Sequence, residues 1–248
     1  MGGTEGDRAA ADTGMVRVPL DAFLDVRLRL PRLSPRPPLD GTLAGWPDRA
    51  LLPDLAGLHD QTAFARVWAG WRVDGLAFAF DVRAPHALRT EPERPFHSDG
   101  VEIWCDTRDS RAARKPTRFC HHFVVLPGGR GTAGRLPAVL EWNPGGIKKP
   151  EDMADLGRIH SAAQVRAGQG YALEVFFPRE VLTGYAPLES AAIGLGYRVR
   201  SPALGVQDLA FGERFPIWRN PSLWRSARLE GAEAPGTAGG GTGAHAGR

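Results

Sequence analysis

The chain has 248 residues, of which 42% are hydrophobic and 24% are charged. These proportions are those of an ordinary globular protein, so they exclude a wholly disordered chain and allow one packed domain of the size that β-sandwiches reach. The net charge is only +3 and the basic residues are scattered rather than clustered, so we expect no nucleic-acid partner.

The first residues of the chain, 1–14, are small and polar and lack the basic and then apolar organisation of an export signal. We predict that residues 1–14 and the Gly-rich residues 231–248 are disordered. No run approaches the ~18 apolar residues of a membrane span, so no membrane partner is expected. The missing signal favours a cytoplasmic location, whereas a wrongly assigned start codon would make the protein secreted.

Between these ends, prolines and glycines separate short apolar runs, which is typical of a sandwich or barrel. Period-two alternation predicts strands with one face toward a core. It is found in residues 23–30, 64–71, 76–82, 101–106, 119–126, 164–165 continuing into 171–177, and 193–200. Single helical turns are expected at 151–156 and 178–182. We therefore predict one all-β domain over residues 15–230, a two-sheet antiparallel sandwich with a jelly-roll-like course and little helix.

The predicted strand 101–106 has two chemically different faces. One face carries Val101, Ile103 and Cys105, and the other carries Glu102, Trp104 and Asp106. An acid and a tryptophan therefore lie side by side on the face away from the core. The polar stretch 106–118 is predicted to be a loop to the next antiparallel strand.

The same two strands carry residues that can bind zinc. The loop brings Cys105 near Cys120, and His121 and His122 follow directly. Adjacent histidines in a strand point to opposite faces, so at most one can join the cysteines. The spacing matches no standard zinc pattern, and buried cysteines are commonly inert. The preferred interpretation is no metal, with Cys105, Cys120 and His121 as the candidates if one is bound. Two cysteines are too few for a disulfide framework, which agrees with a reducing compartment.

Five sequence blocks give the chain a resemblance to a known family. They are Leu-Asp-Gly at 39–41 followed by Trp46, Trp-Arg-Val-Asp-Gly-Leu-Ala-Phe at 71–78, Phe-His-Ser-Asp-Gly-Val-Glu-Ile-Trp-Cys-Asp at 96–106, Gly-Tyr-Ala-Leu-Glu at 170–174, and Trp-Arg-Asn-Pro-Ser at 218–222. In this order, the chain resembles the family 9 carbohydrate-binding modules and the wider group of DOMON-like sandwiches. The third and last blocks are the specific ones.

The resemblance implies a saccharide partner held between two aromatic walls. Phe96 and Trp218 match the walls, and Glu102 matches the hydroxyl-binding glutamate. Sugar C–H faces stack on rings, whereas carboxylates bind hydroxyl groups. The predicted ligand-binding set is completed by Trp104 beside Glu102, by His122 where the family usually has an amide or arginine, and by Arg219 in the last block. The chain departs from the family at Phe96, where the usual wall is Trp. Calcium is implied by the resemblance alone and maps to no specific residue.

Non-catalytic carbohydrate binding is the predicted function, and two alternatives stay open. A sandwich of the same ancestry with a protein partner, acting as an interaction or structural module, is favoured by the missing export signal and by Phe96. A glycosidic or metal-dependent enzyme would use Glu102 with Asp99 or Glu174 as a carboxylate pair. No nucleophile elbow, phosphate loop or dinucleotide fingerprint is present. Any link to catalysis is therefore expected to be as an accessory to O-glycosyl hydrolysis.

Overall fold

The computed structural model describes residues 25–59, 61–110, 112–143, 146–209 and 215–232. The segments predicted to be disordered, 1–14 and 231–248, lie outside these ranges apart from Gly231 and Ala232. Within them the strands are β1 (Leu28–Leu30), β2 (Ala65–Arg72), β3 (Gly75–Arg83), β4 (Gly100–Asp106), β5 (Cys120–Arg130), β6 (Leu136–Trp142), β7 (His160–Arg166), β8 (Gly170–Pro178), β9 (Ala192–Ser201), β10 (Gly205–Asp208) and β11 (Arg225–Leu229). The helical residues described are in short 3-10 turns, and none of these helices is long enough to cross a membrane.

The strands form two sheets. Sheet A has the order β1-β11-β9-β4-β5-β6, with β10 pairing with the far end of β9, and sheet B has the order β2-β3-β8-β7. Neighbouring strands are antiparallel, except that β1 pairs in parallel with β11. This architecture confirms the predicted all-β sandwich with little helix.

Large apolar side chains from both sheets fill the space between them. Phe123 of sheet A stacks on Phe177 of sheet B with ring centres 4.4 Å apart, and Phe80 of sheet B meets Tyr197 of sheet A edge to face at 6.3 Å. All four side chains are 2% exposed or less. Burying one side chain of this size stabilises the fold by about 1.5–3 kcal/mol, so these cross-sheet contacts hold the layers together.

Each predicted strand is present, and the two faces of β4 are as expected. Val101, Ile103 and Cys105 belong to the core between the sheets, whereas Trp104 belongs to a separate cluster on the outer face. Of the strand predicted at 23–30, Leu28–Leu30 form β1, and residues 23 and 24 lie outside the described ranges. The turn predicted at 178–182 is found at Arg179–Val181. In place of one turn at 151–156 there are two, at Pro150–Asp152 and Leu156–Arg158.

The outer face of sheet B is covered by the segment that precedes β2. Glu174 of β8 is fully buried there, and its carboxylate accepts hydrogen bonds from the backbone N–H groups of Asp40 and Gly41 and from Trp46 Nε1 at 2.8 Å. The Leu-Asp-Gly block with Trp46 and the Gly-Tyr-Ala-Leu-Glu block therefore contact each other. Glu174 lies in the opposite sheet from Glu102 and is covered, so the proposed catalytic pairing of these two carboxylates is wrong.

Candidate functional site

The outer face of sheet A carries a row of rings across three strands. Trp104 of β4 lies opposite His122 of β5, which lies opposite Trp142 of β6. The rings of Trp104 and His122 are 4.9 Å apart between centres. Phe96 joins this row from the loop before β4, 6.2 Å from His122 and 5.1 Å edge-to-face from Trp142. The fold therefore brings together three of the predicted residues and adds Trp142.

The loop that carries Phe96 is held in place by hydrogen bonds to the polar residues that follow Phe96. The Asp99 carboxylate is 1% exposed, accepts a hydrogen bond from the Arg89 backbone N–H at 2.9 Å and lies 3.2 Å from His86 Nε2. Ser98 Oγ accepts from the Glu91 backbone N–H at 2.9 Å. Phe96 is half-buried and packs on the aliphatic side chains of the strands below. The Ser-Asp pair of this block thus positions the aromatic residue before it.

Glu102 is a buried acidic residue of this face. Its side chain is 5% exposed, His122 Nε2 lies 2.9 Å from Oε2, and Arg200 Nη2 donates to Oε1 at 2.8 Å. Burial alone raises the pKa of Glu102, but the hydrogen bond from His122 and the charge of Arg200 outweigh it and lower this pKa to about 2. Glu102 is therefore ionised and held in place at neutral pH.

Trp104 is fully buried under the segment before β11. Its cover consists of Phe215, Ile217, Leu223 and Trp224. Gly196 of β9 lies against both tryptophans, since a β-carbon there would be in van der Waals contact with Trp104 at 3.4 Å and with Trp224 at 3.7 Å. Trp104 Nε1 and His122 Nδ1 are buried without a hydrogen-bond partner among the described residues. In this structure Trp104 supports the site from below and is not open to a ligand.

The Trp-Arg-Asn-Pro-Ser block folds into two 3-10 turns, Ile217–Arg219 and Pro221–Leu223. Asn220 Oδ1 accepts hydrogen bonds from the backbone N–H of Ser222 at 3.2 Å and from its hydroxyl at 2.7 Å. Trp224 Nε1 donates to the carbonyl of Ile217 at 2.8 Å. These bonds leave Trp218 43% exposed, with the Arg219 guanidinium 5.0 Å from its ring centre. Trp218 therefore projects from the segment that covers Trp104.

The candidate zinc ligands are separated by the sheet. Cys105 lies in the core between the sheets, whereas Cys120 lies in the cluster around Trp104. Burial raises the pKa of the Cys120 thiol to about 11 and raises the pKa of the Cys105 thiol well above its ordinary value. The pairing of both thiols with His121 at one metal ion is therefore wrong. Within the described ranges no cluster of three or more His, Cys, Asp or Glu side chains is arranged to hold a metal, whether zinc or the calcium implied by the resemblance.

His121 belongs instead to a buried ionic network. Lys148 Nζ lies 2.7 Å from His121 Nδ1 and 2.6 Å from Glu141 Oε1, and all three side chains are at most 1% exposed. Burial lowers the pKa of His121. Asn143 accepts from the Lys148 backbone N–H at 3.0 Å and donates to its carbonyl at 2.7 Å. This network attaches the loop after β6 to the sandwich, next to Trp142.

Two residues of the site escaped the sequence reasoning. Trp142 is not among the predicted site residues, and it is 50% exposed because β6, which carries it, is the edge strand of sheet A. Arg200 lies at the end of a predicted strand, and its partner Glu102 comes from the neighbouring strand. The alternation in residues 193–200 places Arg198 and Arg200 on one face, but this pattern does not show which strand pairs with theirs.

Two solved structures have a similar fold. One is a family 9 carbohydrate binding module from Caldicellulosiruptor kristjanssonii in complex with cellotriose, with 17% identity, a TM-score of 0.58, and coverage of 86% of this chain and 96% of that chain. The other is a family 9 carbohydrate binding module from the same organism in complex with glucose, with 18% identity, a TM-score of 0.60, and coverage of 83% and 96%. No family model matches the sequence, and no curated protein does. The chain thus has the fold of the family 9 modules, which confirms that part of the resemblance.

Proposed function

We propose that this chain binds a saccharide without transforming it, on the outer face of sheet A. The observation that carries the proposal is the grouping of half-buried Phe96 and exposed Trp142 beside the ionised Glu102. Modules of the same fold have been solved with cellotriose and with glucose. Rings beside a fixed carboxylate suit a ligand that has C–H faces and hydroxyl groups.

In this proposal the aromatic side chains stack on the sugar. Phe96 forms one wall together with Trp142, which meets it edge to face at 5.1 Å. Trp218, 43% exposed, forms the other wall, with Arg219 beside it as a donor. Trp142 compensates for the smaller stacking area of a phenylalanine at position 96.

The polar contacts come from the network around Glu102. Each carboxylate oxygen of Glu102 has one strong hydrogen-bond partner. A carboxylate can accept about four hydrogen bonds, so Glu102 keeps the capacity to accept one from a sugar hydroxyl. Arg200, 20% exposed at its side chain, is a donor at the same place. His122 and Trp104 act beneath the ligand by positioning Glu102 and the rings.

The charge state of Glu102 favours binding over hydrolysis. A glycosidase needs one protonated carboxyl group as general acid, whereas, despite burial, the hydrogen bond from His122 and the charges of Arg200 and Arg198 lower the pKa of Glu102 to about 2. Asp99, the other carboxylate considered, is buried and already bonded to the Arg89 backbone and His86. We therefore assign no catalytic residue.

Titration with glucose and cellotriose, followed by tryptophan fluorescence and calorimetry, tests the proposal. We expect saturable binding that weakens about tenfold or more in Phe96→Ala and in Trp218→Ala, because each loses a stacking surface. Leu188→Ala, which removes an exposed apolar side chain elsewhere, should bind like the parent protein.

Two results would count against this site. Binding that persists unchanged in both aromatic variants would place the saccharide elsewhere. A folded protein that responds to no member of a broad glycan panel, and that copurifies with a protein partner, would instead select the interaction-module alternative.

A further inference from the structure

A second concave site lies beside the turn between β2 and β3, away from the row of rings. It is a cavity of about 390 Å³ whose lining includes three arginines, Arg32, Arg72 and Arg179. Asp74 is the one acidic residue among its lining residues. The lining also contains Ser34, a hydroxyl donor.

The walls of this cavity are fixed by hydrogen bonds. Arg72 Nε donates to Asp74 Oδ1 at 2.7 Å, and its Nη1 donates to the carbonyl of Leu33 at 3.1 Å. The Arg179 backbone N–H donates to the carbonyl of Asp74 at 2.9 Å. Three separate parts of the chain are thereby joined around one space, so the cavity does not depend on a single exposed loop.

The charged side chains that line the cavity have a net positive charge. Asp74 neutralises Arg72, but Arg32 and Arg179 have no carboxylate partner within the described ranges. Arg32 instead lies 5.6 Å from the ring centre of Trp71. Burial raises the pKa of Asp74, yet the hydrogen bond and charge of Arg72 outweigh it and hold this pKa below the usual value.

Clustered guanidinium groups repel each other, and an anion between them removes that repulsion. The planar fork of arginine matches the oxygens of a phosphate, and bidentate contacts of this kind are among the stronger hydrogen bonds in proteins. We propose that this cavity binds a phosphate group, either as the free anion or as a phosphate ester. Arg32 and Arg179 bind its oxygens, while the ion pair of Arg72 and Asp74 forms part of the wall.

The test is thermal unfolding of the full chain in increasing inorganic phosphate, with ionic strength held constant by sodium chloride. We expect a saturable rise of the midpoint, since a ligand that binds only the folded state stabilises it. In Arg32→Gln/Arg179→Gln the apparent Kd should weaken by at least about tenfold, the loss expected for charge-assisted hydrogen bonds. The unfolding midpoint of this variant without phosphate checks that it is folded.

Two controls separate this site from other effects. Arg228→Gln removes an exposed arginine on β11 outside the cavity and should respond like the parent protein. Trp218→Ala should also respond like it, so this result is independent of the saccharide proposal. An equal phosphate response in the parent and in the double variant, or no saturable response in the folded parent, would overturn the assignment.

Glucose 6-phosphate distinguishes the two sources of the anion. Tighter binding than inorganic phosphate, with the gain lost in the double variant, identifies an ester as the ligand. Equal affinity for the two probes identifies the free anion. A gain that survives in the double variant overturns the assignment of the ester to this cavity.

Discussion

At the scale of single residues, Glu102 contributes both to the stability of the fold and to the candidate site. Its carboxylate is buried and lies within hydrogen-bond distance of both His122 and Arg200. Removing one member of a buried ionic group leaves the others without compensation, which costs more than the group itself contributes. The residue that binds the ligand in our proposal is therefore also a structural residue.

We predict that Glu102→Gln lowers the free energy of unfolding by about 2–4 kcal/mol. Urea denaturation at neutral pH measures this change. Glu180→Gln, at an exposed position, is the matched control and should unfold like the parent protein. A stability equal to that of the parent in Glu102→Gln would contradict the ionic network.

The pH dependence of stability follows from the same residue. The pKa of Glu102 is about 2 in the folded protein and 4.5 by reference, so the unfolded state binds a proton first and the carboxylate stabilises the fold above pH 4.5. This contribution is lost as the pH falls from 4.5 toward 2. His121, whose pKa is lowered from 6.5 by burial, adds a loss that begins below pH 6.5. Glu102→Gln should flatten only the more acidic part of the profile.

At the scale of elements, the loop after β6 is held by one buried lysine. Lys148 is 1% exposed at its side chain and bonded to Glu141 and His121, whereas the adjacent Lys149 is 74% exposed. Both Trp142 and Glu141 stand at the end of β6. Anything that releases Lys148 should therefore disturb an edge of the candidate site.

We predict that Lys148→Met destabilises the protein by about 3–5 kcal/mol, because Glu141 is left buried without its cation. Lys149→Met is the matched control and should change the free energy of unfolding by less than about 0.5 kcal/mol. Adding Glu141→Gln to Lys148→Met should cost less than the sum of the single changes. Additive losses would show that the two side chains do not interact.

The boundaries of the elements show which parts of the sheets the sequence predicts. The strands 76–82 and 101–106 alternate cleanly because one face packs on the core, and they were found with errors of one residue at their ends. The strands β6, β10 and β11 were missed. Pro137 and exposed Leu136 obscure the pattern of β6, and β10 and β11 have only four and five residues.

At the scale of the whole molecule, the inner and outer faces of sheet A carry different aromatic contacts. The stack of Phe123 on Phe177 joins the layers on the inner side, whereas Phe96 and Trp142 meet on the outer side of sheet A. Substitutions in these two places should have different consequences.

We predict that Phe177→Ala lowers the free energy of unfolding by about 3–5 kcal/mol and leaves saccharide affinity unchanged. Denaturation and calorimetry on the same preparation measure the two quantities. Phe96→Ala should show the reverse pattern, with weakened binding and a smaller change in stability. A parallel loss of affinity in folded Phe177→Ala would mean that the core and the site are coupled.

The sequence does not predict which distant residues of the chain cover the side chains of the site. The pattern of β4 correctly places Trp104 on the outer face, but it cannot show that Trp224, over a hundred residues away, lies across Trp104 and Gly196. Likewise, the Gly-Tyr-Ala-Leu-Glu block predicts a strand, but its glutamate binds the segment before β2. Local periodicity assigns a side chain to a face, and only the tertiary fold decides what covers that face.

The parallel pairing of Leu28 with Ala227 puts the first and last strands together at one border of sheet A, and β6 forms the opposite border. Five inter-strand spacings, about 24 Å, separate the two borders. The two strands β1 and β11 therefore lie at the border remote from Trp142. A polymer that reaches Trp142 in our proposal therefore approaches the sheet from the border opposite to β1 and β11.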